Sequence, residues 1–293
     1  MRVSTSYEFL SYRRDIEAAQ GRMFEAQRQV STGKRFTQAE EDPYASQVVV
    51  QGTSLKRWIA QTDRNIRTAQ DYLGTTEVAL GESLDGLRRA YMIAVRGANA
   101  SATANERAAL AQEIGTIQER LVDLANSRAA GGQFVFAGQE SQKKPFQALD
   151  GLVFSGDTLG VFIETDPANL QKVNLTDASS FFLEAYQRLT DLKNHLGSND
   201  PGTIGSHDIG EIDAAIQDAL SLQAETGYRL ENLQQLRDRH AVRSDDLTAM
   251  VSDAEDVDVA EAVTKLRLAE TTYQAALQSV AAATRMRLMD FLR

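Results

Sequence analysis

Apolar side chains at steps of three and four recur through most of the chain. In the first segment Phe9, Tyr12, Ile16, Ala19, Met23, Ala26 and Val30 keep that step. The spacing puts them on one helix face and makes a heptad seam that needs a partner helix. Ser31-Thr32-Gly33 closes the segment, Gly33 being suited to a helix C-terminus. After a polar loop, Asp42-Pro43 predicts an N-cap with proline at the first helical position. A long second helix follows, with Leu55, Ile59, Thr62, Ile66, Ala69, Leu73, Thr76, Leu80, Leu87 and Ala94 on its seam. It fades between Gly97 and Thr103. Another helix starts near Asn105 and is expected to stop at Gly131-Gly132.

There the period changes from helical to alternating. Gln133 to Ala137 predicts a strand, and Phe146 to Leu149 with Leu152 to Ser155 predicts a hairpin closed by a type I′ turn at Asp150-Gly151. Gly156-Asp157 offers a turn before a strand over Thr158 to Thr165, and Lys172 to Leu175 a further short strand. Helix returns after Thr176. Gly197 to Gly205 is expected to be a linker, followed by a third long helix from about Asp208 to Val251. The last helix begins within Asp253 to Asp258, with Val259, Val263, Leu266, Tyr273, Leu277, Val280 and Leu288 on its seam.

These elements predict a mainly α fold: an elongated rod of long antiparallel heptad helices, the N- and C-terminal helices paired, with a small β insert. The expected division is 1–40 with 253–293 as a terminal coiled-coil assembly domain, 41–131 with 177–252 as a helical rod domain, and 132–176 as a small outward-facing β domain. Two terminal helices alone bury too little apolar surface to offset the entropy of ordering them. They are expected to be loose in the monomer and to order against neighbouring copies or partners. The subunit-interface candidates are Phe9, Tyr12, Ile16, Met23, Val30, Val259, Val263, Leu266, Tyr273, Leu277, Val280, Leu288 and Phe291.

Composition narrows the chemistry. The 293 residues include four prolines, which leaves room for uninterrupted helices. A formal net charge of −10 without basic runs argues against nucleic-acid binding. The absence of cysteine removes disulfides and thiolate chemistry. No segment has the length and apolarity of a membrane span, and residues 1–14 lack the apolar core of a cleaved signal peptide. Ser31-Thr32-Gly33-Lys34-Arg35 has the tail of a phosphate loop without its upstream glycine or preceding strand. Asp253, Glu255, Asp256, Asp258 and Glu261 lack the spacing of a calcium loop and suit a helix N-terminus. His195, His207 and His240 are expected at the surface, with no i, i+4 pair for a metal. No catalytic serine or nucleotide motif appears. No catalytic residue, metal or cofactor is expected.

The order of helix, Ser31-Thr32-Gly33-Lys34-Arg35, acidic loop and Asp42-Pro43 resembles the bacterial flagellin family. Val95-Arg96-Gly97-Ala98-Asn99 fits it, as does Leu124-Ala125-Asn126 followed by Gly132 to Gly138. Phe136-Ala137-Gly138 leading to Lys144-Pro145-Phe146, Asp256 to Ala262, and the ending Arg287-Leu288-Met289-Asp290-Phe291-Leu292 resemble one branch of it, the subunits joining hook to filament. The resemblance implies a structural, non-enzymatic subunit of the extracellular flagellum. Its terminal helices would line a hollow tube in a head-to-tail homo-oligomeric array beside a hook-associated neighbour and flagellin. It also implies export without signal cleavage, by a type III apparatus with a dedicated chaperone. Filament flagellin itself is the alternative, and a soluble coiled-coil adaptor lies outside the family. Some flagellins carry an innate-receptor recognition stretch that would fall at Leu87 to Val95. Here Arg89 fits, but Tyr91 and Met92 stand where Arg and Glu are expected, so that recognition is not implied.

Overall fold

The computed structural model describes residues 2–149, 151–166 and 169–291, with side chains described at 7, 9–149, 151–166 and 169–282. The element order is α1 (Arg2–Thr32), α2 (Pro43–Ala98), α3 (Ala104–Ala125), β1 (Phe146–Ala148), β2 (Leu152–Phe154), β3 (Phe162–Asp166), β4 (Asn169–Lys172), α4 (Ala178–Gly197), α5 (Pro201–Thr203), a π-helical turn (Ile204–Asp208), α6 (Ile209–Glu255) and α7 (Val259–Phe291). The fold is mainly α with a small β insert, as the periodicity predicts. Among the described residues no helix is long and apolar enough to cross a membrane.

Two compact units divide the chain. One comprises 1–58 with 243–293, the other 59–242. In the larger unit the predicted seam of α2 is the core: Ile59, Thr62, Ile66, Ala69, Leu73, Thr76, Leu80, Leu87 and Ala94 are all buried. Across α2 and α6, Gln70 Nε2 donates to Gln234 Oε1 at 3.2 Å and Arg237 Nε to Asp63 Oδ1 at 3.1 Å. Residues of α3, α4 and the insert complete the same apolar cluster. Its aromatic centre is Phe182, with ring centroids 4.8 Å from Phe136, 5.0 Å from Phe181 and 5.5 Å from Phe146. Edge-on arrangements of this kind add to simple burial.

The insert departs from the predicted strands. Gln133 to Ala137 is no strand. Phe134, Val135, Phe136 and Ala137 are all buried instead of alternating. The segment's backbone bonds go instead to neighbouring loops: Phe134 N–H donates to Ser141 O (2.8 Å), and Val135 N–H to Ser127 O (3.1 Å) in a single isolated antiparallel bridge at Arg128↔Phe134. Tyr72 Oη donates to the Val135 carbonyl, and burial pushes that phenol's pKa up. The β1–β2 hairpin forms in register Phe146↔Phe154, Gln147↔Val153, Ala148↔Leu152. The type I′ turn expected at Asp150-Gly151 includes Asp150, which lies outside the described residues. The fourth strand falls at Asn169–Lys172, three residues early, and pairs only with β3, so two separate two-stranded sheets result.

Two boundaries also shift. α3 ends at Ala125, where Asn126 takes over the capping. The expected linker at Gly197 to Gly205 shrinks to 198–200, because Asp200 caps a helix restarting at Pro201: its Oδ1 accepts from Thr203 N–H at 3.2 Å. That cap holds the Asp200 carboxyl below its usual range, chiefly through the Thr203 hydroxyl. Of the three histidines only His207 is exposed. His240 is buried near Asp166, at 3.6 Å. His195 Nδ1 lies 2.8 Å from Oδ2 of Asp208, whose side chain is 2% exposed.

Candidate assembly surface

In the smaller unit α1 packs on α7, and the connection that sets this up is legible residue by residue. Gly33, at φ 69°, terminates α1 in the left-handed region, which a side chain would disfavour. The chain then meets the α6–α7 connection. Arg35 N–H donates to Glu255 O (2.7 Å) and Val257 N–H to Gly33 O (3.0 Å), an isolated antiparallel bridge at Lys34↔Asp256. The Lys34 ammonium pairs with the Glu255 carboxylate. Asp258 Oδ1 then accepts from Ala260 N–H (2.8 Å) and Glu261 N–H (3.2 Å), capping α7. On the other side Asp42 Oδ1 accepts from Ala45 N–H at 2.9 Å, the predicted cap of α2. Arg28 and Glu41 pair at 2.7 Å, tying the loop back to α1.

Two sequence candidates are thereby accounted for. Lys34 of the phosphate-loop-like stretch is neutralised by a carboxylate, and a helix, not a strand, precedes it. Among the acids from Asp253 to Glu261, Glu255 and Glu261 pair with Lys34 and Lys265, and Asp258 caps α7.

The paired terminal helices bury little. Ala19 and Ala26 on α1 and Ala262 on α7 are buried. Tyr12, Ile16, Met23 and Val30, and opposite them Val263, Leu266, Tyr273 and Val280, are only half-buried. Phe9 stays 66% exposed and Val259 60% exposed, and Leu277 is exposed as well. Leu288 and Phe291 fall outside the described side chains. A groove of about 360 Å³ runs between the helices, with Ala19, Ala26, Leu268 and Ala269 in its lining. Among the described side chains, the pairing of α1 with α7 covers only part of each seam.

The remaining motifs sit in the larger unit and are architectural. Arg107, 3% exposed, donates to Gly97 O (2.8 Å), Asn99 O (2.8 Å) and Asn199 Oδ1 (2.6 Å). It thus fixes the Val95 to Asn99 stretch against the α4–α5 turn. Asn126 clamps β1: Phe146 N–H donates to its Oδ1 (3.0 Å) and its Nδ2 donates to Phe146 O (3.1 Å). Gly138, at φ 66°, lies against Asp157, where an added Cβ would sit 2.3 Å from the backbone oxygen. Asp157 in turn accepts from the N–H groups of Gln139, Glu140 and Leu159. These bonds, Gln139 first, hold its carboxyl below the usual range. Arg89 pairs with Glu113 at 2.6 Å, which raises the guanidinium's pKa. Composition hid Arg107, because a lone arginine near a helix start looks solvent-exposed.

Two family models cover most of the chain: the bacterial flagellin N-terminal helical region matches residues 3–141 and its C-terminal helical region residues 209–292. The chain belongs to the bacterial flagellin family. Among curated flagellin-family relatives, flagellar hook-associated protein 3 of Salmonella typhimurium is 29% identical over 187 residues, 62% of this chain and 57% of that protein. Flagellin A of Vibrio cholerae is 27% identical over 136 residues, 46% of this chain and 36% of its own length. The chain thus spans about half the length, or less, of these curated relatives. A solved structure of a flagellar hook-associated protein from Vibrio parahaemolyticus superposes with TM-score 0.67 at 19% identity, covering 74% of this chain and 100% of that one. That likeness is one of fold.

Proposed function

We propose that this chain is a structural subunit of the bacterial flagellum, without catalytic activity, placed at the junction between hook and filament. The observation that carries the structural role is the apolar surface left uncovered on α1 and α7, from Phe9 to Val30 and from Val259 to Val280. Burying such surface against neighbours supplies the driving force for assembly. The branch is supported by the wider alignment with hook-associated protein 3 than with flagellin A. Its partners would be further copies in a ring or helical array, a hook-associated neighbour on one side and flagellin on the other. A type III apparatus and a chaperone would deliver it outside the cell. Residues 1–40 with 253–293 would form the inner assembly part, 41–131 with 177–252 the middle part, and 132–176 the outward part.

Quantitative immunogold labelling of intact flagella, with antibody against residues 133–175, tests this. A narrow band between hook and filament is the expected result. Label along the whole filament would make the chain a filament flagellin, which its alignment with flagellin A keeps as the second reading. Absence from flagella would overturn both.

A further inference from the structure

The β3–β4 hairpin has a face that the core does not use. The register sets Phe162 opposite Lys172 and Glu164 opposite Leu170, so these four side chains share one side of the ladder. Ile163, on the other side, packs against the core. Phe162 is 55% exposed and Leu170 63% exposed. Glu164 is exposed and Lys172 half-buried, its Nζ 2.9 Å from Thr176 Oγ1. Among the described residues neither charge has an ion-pair partner within the chain.

The four positions form a checkerboard, with an apolar diagonal (Phe162 and Leu170) crossing a charged one (Glu164 and Lys172). Two such faces can meet about an in-plane two-fold axis in four simple ways. An axis along the strands, or across them, sets each apolar side chain against a charge, and desolvating an unpaired charge is unfavourable. An axis along the charged diagonal sets Glu164 on Glu164 and Lys172 on Lys172. Only the apolar diagonal is self-complementary. It stacks Phe162 on Phe162 and Leu170 on Leu170, and it places Glu164 of each copy opposite Lys172 of the other.

We infer that this face is an isologous contact with a second copy of this chain, built about that diagonal. Charge complementarity fixes the geometry and the apolar pair supplies the contact. The patch is small, well under the roughly 1,000 Å² of a stable interface, so the pair is weak and forms at high local concentration. A two-fold contact reverses one copy relative to the other. It therefore joins free chains or separate assemblies, not successive subunits of one polar array, and it stands apart from the role proposed for α1 and α7.

Leu170→Cys supplies a single thiol in a chain without cysteine, and a short bismaleimide then reports the pair as a covalent dimer of the full-length protein. Adding either Glu164→Lys or Lys172→Glu to Leu170→Cys should lower the dimer yield by about ten-fold, since each turns two attractive pairs into repulsive ones. Mixing the two charge-reversed variants should restore it, because each then faces its complement. Circular dichroism unchanged from the parent shows that the variants are folded. A yield indifferent to either charge, or a mixture no better than its components, would overturn the inference whatever immunogold labelling finds.

Discussion

Arg107, Asn126 and Gly138 each do one job that no neighbouring residue can take over. Removing the Arg107 guanidinium strands two backbone carbonyls and Asn199, and hydrogen bonds to a charged group contribute about 1.5–3 kcal/mol each. Arg107→Ala should therefore lower stability by about 3 kcal/mol in chemical denaturation. Gly138→Ala combines a left-handed backbone, about 1–2 kcal/mol for a non-glycine residue, with collision against Asp157. Gly132, at φ 81° with open space around it, supplies the control. The melting temperature should fall further for Gly138→Ala than for Gly132→Ala. Glu106 and Asp157 both have lowered pKa values, through hydrogen bonds from Thr103 and from Gln139 respectively. A carboxylate whose folded pKa lies below its unfolded one stabilises the fold above the unfolded value, about pH 4. That contribution is lost as pH falls through the folded value. Asp157→Asn should flatten the decline of the melting temperature below about pH 4, and an unchanged slope would refute the linkage. The contacts of Arg107, Asn126, Gly138 and Asp157 were not legible in the sequence, since each joins residues brought together only by folding, whereas Thr103 and Glu106 have the local spacing of a capping box.

Helices and caps were the readable part. The α2 seam is buried at every predicted position from Ile59 to Ala94, because a heptad step sustained over many turns has no other way to hide its apolar side chains. Asp42 and Asp258 cap where the sequence puts them, a local interaction that needs no knowledge of the rest of the chain. The insert was harder. Phe134 to Ala137 looks like a strand because aromatic and β-branched residues favour both strands and cores. Only the packing against Phe182 and Tyr72 decides between them. The same contrast separates the two seams in experiment. Leu87→Ala, at a fully buried site of α2, should destabilise by about 2–5 kcal/mol. Phe9→Ala, at an exposed site of α1, should leave unfolding within about 0.5 kcal/mol yet weaken assembly in vitro. Equal effects of the two on unfolding would mean that α1 is already covered in the single chain.

At the scale of the molecule, the chain divides into two compact units, and the buried cluster of the larger draws no residue from the smaller. Deleting 1–30 or 259–293 should therefore leave the larger unit's melting transition in place and abolish incorporation into flagella. A truncated chain that still incorporates would separate the terminal helices from assembly. The contacts that close the smaller unit come from opposite ends of the sequence: Lys34 and Glu255 are 221 residues apart. Contacts of such separation form late, since loop closure must precede them. Whichever end emerges first from a ribosome or a channel, α1 and α7 cannot meet until nearly the whole chain is out. The surface proposed to join neighbours is therefore also the last to acquire its shape, and a chain still in transit has no completed end with which to self-associate.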